Sequence, residues 1–249
     1  VLSVIHLAED QQFIRRELER LDLVSFVADK AVLPRESGIS SRPMKGSVPF
    51  SSPQSLRTEL DLPHHGRLTG MGLRRGITLI VGGGYHGKST LLKALEAGVY
   101  NHVAGDGREY VITDSTAMKL RAEDGRSIQN TDISLFINDL PNKKNTKCFS
   151  TEDASGSTSQ AAAVIEGIEA GSRAFLIDED TSATNFMVRD DLMQKIISRS
   201  KEPITPFIER ARDLYENAGI STIMVAGSSG AYFYIADTII QMDCYEPLD

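Results

Sequence analysis

Apolar and polar residues along the chain follow several periods, and each predicts a different element. Residues 9–21 carry Phe13, Ile14, Leu18 and Leu21 at helical spacing among charges, which predicts an amphipathic helix. The run Leu23–Ala28 predicts a short strand. Residues 33–56 are rich in Pro, Ser, Gly and basic side chains and predict a long loop or linker. Leu56–Leu62 alternates apolar and polar positions, as a half-buried strand does. From residue 76 the texture changes. Ile77–Val81 is a continuous, mostly β-branched run, which fits a strand of a parallel sheet buried on both faces. A glycine cluster follows, then a helical pattern through Leu91, Leu92 and Leu95. Tyr110–Thr113 predicts a strand and residues 141–148 a basic loop. Ala161, Val164, Ile165 and Ile168 share one helix face, and Gly171 supplies a C-terminal cap. Ala174–Ile177, Thr222–Ala226 and Thr238–Ile240 predict three more strands. A helix is predicted over 204–217, with Pro206 near its first turn.

Strands alternating with helices indicate an α/β architecture with a mostly parallel central sheet. The earlier strands add an antiparallel β element at the N-terminal side. The expected division is a helix–strand segment and linker over 1–45, followed by a nucleotide-binding domain over 46–249. No internal repeat is present.

Composition narrows the function classes. The 249 residues are 41% apolar and 24% charged, ordinary for a globular protein, and the net charge is −7. A mildly acidic chain is not a general nucleic-acid coat, although a local basic patch is compatible with it. Cys148 and Cys244 make neither a disulfide framework nor a zinc site, which predicts a reducing compartment. No apolar run approaches the ~20 residues of a membrane-spanning helix. The start lacks a methionine and a basic leader, so the expectation is a fragment of a longer chain.

The strongest chemical signal is Gly82-Gly83-Gly84-Tyr85-His86-Gly87-Lys88-Ser89-Thr90. It matches G-x-x-x-x-G-K-S/T, between a buried strand and a helix. Glycines let successive N–H groups turn inward onto phosphate oxygens, and the helix N-terminus adds its positive dipole end. Lys88 is placed for the β- and γ-phosphates of ATP, and the Ser89 hydroxyl for Mg²⁺. His86 is open to two readings, a phosphate or partner contact and a solvated loop residue. The strand at 174–177 ends in Asp178-Glu179. Asp178 is a candidate Mg²⁺ ligand at the carboxyl edge of the sheet, and Glu179 a candidate base for an attacking water. Between these motifs, Ser155, Gly156 and Ser157 open a helix. That pattern suits either a phosphate or an ordinary serine cap.

Taken in order, these motifs resemble the ABC-class ATPases. Ser155-Gly156-Ser157 stands where that class has its signature, a helix and a short turn before the Walker B aspartate. Ser182-Ala183-Thr184-Asn185 stands at its D-loop. GGGYHGKSTLLKALE, GDGREYVITD, EDGRS, DASGSTSQAA and LIDEDTSATNF are similar to the family described as predicted ATPases of the ABC class. That resemblance covers about residues 20–245. One kinetoplastid member of that family is associated with mitochondrial RNA editing. The resemblance implies a P-loop NTPase fold, ATP or ADP and Mg²⁺ as ligands, and a nucleotide-dependent homodimer. It also implies RNA as a partner, and a soluble intracellular protein, mitochondrial in a kinetoplastid and otherwise cytoplasmic.

The chain also departs from the class. Ser228 falls in the slot of the class histidine, which implies slow hydrolysis; it is the third candidate catalytic residue beside Asp178 and Glu179. Asn185 replaces the D-loop aspartate, and Gln129 and Asp124 compete for the glutamine-loop role. Phe50 is the nearest upstream aromatic for an adenine. Candidate RNA contacts are Lys143, Lys144 and Lys147, with Arg35, Arg42 and Lys45, against the alternative of ordinary solvated charges. The competing functions are an ATP-switched scaffold or DNA-associated ATPase that does not bind RNA, and a P-loop small-molecule kinase. No protein partner is legible.

Overall fold

The structure, a computed structural model, describes residues 1–189, 202–227 and 229–249. Elements are numbered through these residues. The chain opens with helix α1 (Leu2–Arg20), then β1 (Leu23–Ala28), β2 (Arg57–Leu62) and β3 (Gly66–Arg74). Next come β4 (Ile77–Val81), α2 (Lys88–Ala97), β5 (Val111–Thr113), β6 (Met118–Leu120), and the pair β7 (Arg126–Thr131) and β8 (Phe149–Ala154). The last part holds α3 (Gly156–Glu169), β9 (Ala174–Asp178), α4 (Thr184–Met187) and α5 (Phe207–Ala218). It closes with β10 (Ser221–Val225), β11 (Thr238–Asp243) and β12 (Glu246–Leu248).

Two sheets carry the fold. The larger has the order β12-β11-β4-β10-β9-β6. All its neighbours run parallel except the antiparallel edge strand β12. The smaller, β2-β3-β1-β5, is antiparallel throughout. This is the mostly parallel sheet with an antiparallel N-terminal element that the sequence predicts. Side chains alternate across each central strand. Leu79, Phe175, Ile177 and Met224 face one core with α3 and α5. Ile80, Leu176, Ile223 and Val225 face a second core with α2 and the antiparallel sheet. On the outer side of that sheet, Ile14 and Leu18 of α1 pack against Phe26, Leu60 and Ile112.

Several boundaries differ from the periodicity. The first helix begins at Leu2 rather than at residue 9. Its early turns expose Leu2, Val4 and Ile5, so they carry no amphipathic signal. Helix α5 begins at Phe207 rather than 204, because Pro206 holds the preceding backbone extended. Strand β3 carries glycines that read as turn residues. At Gly70 a Cβ would run into the Val27 carbonyl and lie 2.6 Å from Phe26, so glycine lets β3 lie close against β1.

The first core contains a three-ring cluster. Phe136, Phe186 and Phe207 are all fully buried, and Phe186 lies 5.0 Å from Phe136 and 6.2 Å from Phe207 between ring centroids. Phe186→Ala is expected to cost about 3–5 kcal/mol, the usual range for a buried ring replaced by a methyl group. Chemical denaturation checks this: a lowered midpoint at unchanged slope is the expected result.

Candidate nucleotide-binding site

Strand β4 lies between β10 and β11, so the loop that follows it opens at the carboxyl edge of the parallel sheet. Gly82 has φ +140°, and a Cβ there would meet the Met242 carbonyl of β11. Gly83, Gly84 and Tyr85 are exposed at the tip, with Tyr85 at φ 64°. Gly87 caps α2, whose first turn holds Lys88, Ser89 and Thr90, each half-buried. The Lys88 ammonium donates to the Gly82 carbonyl at 2.6 Å and the Gly83 carbonyl at 2.8 Å. The Lys88 ammonium is thus folded back onto carbonyls of its own loop.

His86 is half-buried and bonded to the turn between β11 and β12. Its Nδ1 accepts the Cys244 N–H at 3.0 Å and lies 3.0 Å from an Asp243 carboxylate oxygen. Its carbonyl accepts the Tyr245 N–H at 3.1 Å. The β11–β12 turn therefore clasps the loop. This clasp joins residues far apart in sequence, and periodicity gives no sign of it.

Across the sheet edge, Asp178 ends β9 and is 8% exposed. The Ser89 hydroxyl donates to Asp178 Oδ2 at 3.3 Å, and Asp178 Oδ1 accepts the Asp180 N–H at 3.2 Å. A hydroxyl and a carboxylate side by side are hard oxygen donors, the set that suits Mg²⁺. Glu179 follows, half-buried, and its Oε2 accepts the Gly227 N–H at 2.7 Å. Ser228, the next residue, lies outside the described residues. Tyr232 is fully buried nearby, and its hydroxyl has no hydrogen-bond partner among the described residues. Burial, then the charge of Glu179, push its ionisation well above the ordinary range. Its neutral ring is a wall of low polarity near the carboxylate.

Ser155 caps α3 and is exposed. Its Oγ lies 2.9 Å from the Thr158 hydroxyl and 3.3 Å from that of Ser157. Gly156 and Ser157 are buried behind it, and a Cβ on Gly156 would lie 3.2 Å from Asp124 and 3.7 Å from Ala183. Gln160, one turn on, is fully buried. Its Oε1 accepts the Ala183 N–H at 2.9 Å and its Nε2 donates to the Ser182 hydroxyl at 3.0 Å. Ser182 in turn donates to the Asp178 carbonyl at 2.9 Å. Sequence reasoning missed this link, although the glutamine stands at the end of the quoted DASGSTSQ run. Among the described residues, no hydrogen bond joins Ser155, Gly156 or Ser157 to residues 82–90.

The remaining candidates fall as follows. Asp124 lies beside Gly156 on the segment after β6, whereas Gln129 is exposed on β7. Asn185 is exposed on α4. Phe50 is 3% exposed in the second core, so it offers no surface for a base. Lys143, Lys144 and Lys147 are exposed, as are Arg42 and Lys45, while Arg35 is tied to Asp106 at 2.9 Å.

An uncharacterized protein, MJ1628, of Methanocaldococcus jannaschii is 30% identical over 229 residues. The match covers 88% of this chain and 50% of the relative, so the chain spans about half the length of that protein. CbiO1 from Clostridium perfringens, part of the ABC transporter complex cbiONQ, shares the fold at a TM-score of 0.52 and 12% identity. That likeness covers 91% of this chain and 87% of CbiO1. Among the described residues no helix is long and apolar enough to cross a membrane. The ABC_ATPase family, described as a P-loop domain, matches residues 1–249, and the chain belongs to that family.

Proposed function

We propose that the chain binds Mg-ATP on the loop of residues 82–90 and hydrolyses it slowly, as a nucleotide-dependent homodimer. The observation that carries the ATP reading is the Ser89–Asp178 pair beside Lys88. Backbone N–H groups of Gly83 through Ser89 hold the phosphates, with the dipole of α2 behind them. Lys88 exchanges its two loop carbonyls for the β- and γ-phosphate oxygens. Ser89 and Asp178 hold Mg²⁺, which neutralises charge that develops on the phosphates. Glu179 takes a proton from the attacking water as the bond from the γ-phosphorus to the bridging oxygen breaks, leaving ADP and phosphate.

The dimer reading rests on the other face of the site. Ser155 is exposed, is not bonded to its own phosphate loop, and is linked through Gln160 and Ser182 to the carbonyl of Asp178. A signature built this way closes over the nucleotide of a second copy, so that the γ-phosphate orders the pair and its loss releases it. RNA is the cargo this reading assigns to the dimer, supported by the resemblance and by exposed Lys143, Lys144 and Lys147.

The test is Mg-ATP turnover per subunit against protein concentration. Turnover is expected to rise with concentration and to be lost in both Lys88→Ala and Ser155→Arg. Loss of the Ser155 cap alone costs only about 1 kcal/mol of stability, so the folded variant is available for the assay. Flat turnover with a silent Ser155→Arg overturns the dimer and leaves a single-subunit ATPase.

A further inference from the structure

Strands β4 and β11 run parallel and side by side, with Val81 opposite Gln241. The loop after β4 and the turn after β11 therefore meet at one edge of the sheet. Three side chains of unlike chemistry come together there: the His86 imidazole, the Asp243 carboxylate and the Cys244 thiol. One ligand atom from each lies within 4.8 Å of the other two. His86 is half-buried, and Asp243 and Cys244 are exposed, so the group is open to ions from solvent.

The contacts inside this group are one positive charge short. His86 Nδ1 accepts the Cys244 N–H at 3.0 Å, which requires a bare ring nitrogen. An Asp243 carboxylate oxygen lies 3.0 Å from the same nitrogen, so two electron pairs face each other. A proton on Nδ1 would satisfy Asp243 and leave the Cys244 N–H without its acceptor, because an imidazole nitrogen donates or accepts but does not do both. The Cys244 thiol shares the Asp243 carboxylate as its hydrogen-bond acceptor. A cation bound by nitrogen, carboxylate and sulfur together removes the repulsion, and the exposed amide turns to water.

The backbone is bent to make the group. The turn between Asp243 and Glu246 has two residues, Cys244 at φ 48° and Tyr245 at φ 71°. Two-residue hairpins with both angles positive favour Asn-Gly, and Cys-Tyr is strained in their place. On the facing loop, Tyr85 at φ 64° and Gly87 at φ 97° flank His86. Strain of this kind clusters at ligand sites.

Imidazole, thiolate and carboxylate are the nitrogen, sulfur and oxygen ligands of Zn²⁺, which holds them at about 2.0–2.3 Å in a tetrahedron. Tetrahedral angles at those lengths set the ligand atoms about 3.4–3.6 Å apart. The near pair at 3.0 Å and the outer limit of 4.8 Å bracket that span. Water takes the fourth position. Mg²⁺ is a hard cation that prefers oxygen ligands, so the set does not suit it. Two distant cysteines make no zinc site by a count of thiols, but here the fold supplies the other ligands to one of them. Cys148 lies outside the group and donates to Asn130 Oδ1 at 2.6 Å.

We infer that His86, Asp243 and Cys244 form a Zn²⁺ site that ties the phosphate loop to the β11–β12 turn. The ligands are in place without a nucleotide, so the inference stands apart from the ATP reading.

The test titrates the reduced 249-residue chain with Co²⁺, without nucleotide, because the colour of Co²⁺ reports its ligands. One Co²⁺ per chain is expected, with tetrahedral bands in the visible and a thiolate-to-cobalt charge-transfer band in the near ultraviolet. Zn²⁺ is expected to bleach both, and excess Mg²⁺ to leave both unchanged. Cys244→Ser is expected to lose the charge-transfer band, and Cys148→Ser to keep it. His86→Ala and Asp243→Asn are each expected to weaken Zn²⁺ by more than about 100-fold, since even the loss of an outer partner of a ligand costs 10–100-fold. Zn²⁺ is expected to raise the Tm of the unmodified chain and not that of Cys244→Ser. Absence of the charge-transfer band overturns the inference. So does a band that survives Cys244→Ser, or one that ignores both His86→Ala and Asp243→Asn, which marks a lone surface thiol. Mg-ATP binding is measured on the same samples. A chain that binds Mg-ATP but shows no charge-transfer band overturns the zinc site alone, and the reverse overturns the ATP reading alone.

Discussion

Glu179→Gln is expected to lower Mg-ATP turnover by about 10²–10³-fold, the usual contribution of a positioned general base. ATP affinity is expected to stay within about threefold, because the change removes an interaction used only in the transition state. The substitution is chosen to isolate that function. Glutamine has nearly the same shape and keeps a side-chain carbonyl for the Gly227 N–H, which Glu179 accepts at 2.7 Å. Asp178 and Ser89 are untouched, so the metal donors remain. Lys88 and the loop N–H groups remain, so the phosphates are still held. Single-turnover phosphate release separates the chemical step from product release. A variant that hydrolyses within threefold of the unmodified chain shows that another group takes the proton. A variant that fails to bind ATP shows instead that Glu179 holds the site together.

The site is legible in the sequence where its parts are local, and hidden where they are not. The 82–90 loop is contiguous, and its flanks announce themselves by a buried β-branched run and a leucine-spaced helix. The acids after β9 are legible for the same reason: Ala174–Ile177 is apolar enough to be buried on both faces, and the next residue is charged. The clasp made by Cys244 and Tyr245 depends on β11 lying beside β4, a pairing between segments more than half the chain apart. The Gln160 link depends on how α3 packs over the segment after β9. Neither leaves a periodicity.

The fold shows the same division. Strands buried on both faces read as apolar runs, and β4, β9 and β10 all do so. Strands β7 and β8 do not, because within them only Ile128, Phe149 and Ala154 are buried apolar positions. Their sequences look like loop until the hairpin forms. Strand β3 hides behind glycines required by its close approach to β1, and short β12 carries only one buried residue, Pro247. Phe50 is the converse: a large aromatic in a polar, glycine-rich stretch reads as a ligand platform, yet the loop folds back and buries it beside Ala31 and Leu33.

Gly82→Val is expected to disable the site before any chemistry is reached. Two independent costs fall on that position. The backbone has φ +140°, a region open to glycine and strained for a β-branched residue. The added Cβ would also enter the space of the Met242 carbonyl on β11. Strain of this backbone type costs of order 1–3 kcal/mol alone, so with the clash the total is expected to exceed about 3 kcal/mol. For a chain of this size that corresponds to a fall in Tm of about 10 °C. Relief by moving β11 breaks its last pairing with β4, Gln241 against Val81, and with it the seat of the β11–β12 turn. Relief by moving the loop instead carries Lys88 away from its carbonyls. Either route costs ATP binding as well as stability. Gly84→Ala is the matched control. It lies two residues on, has no atom within 4 Å of a built Cβ, and does not have positive φ. It is expected to melt within about 1 °C of the unmodified chain, since surface substitutions away from special features stay within about 0.5 kcal/mol. Thermal melts and ATP titrations on the pair decide the matter. If Gly82→Val melts and binds like Gly84→Ala, the loop conformation does not depend on its first glycine, and the contact with Met242 carries no functional constraint.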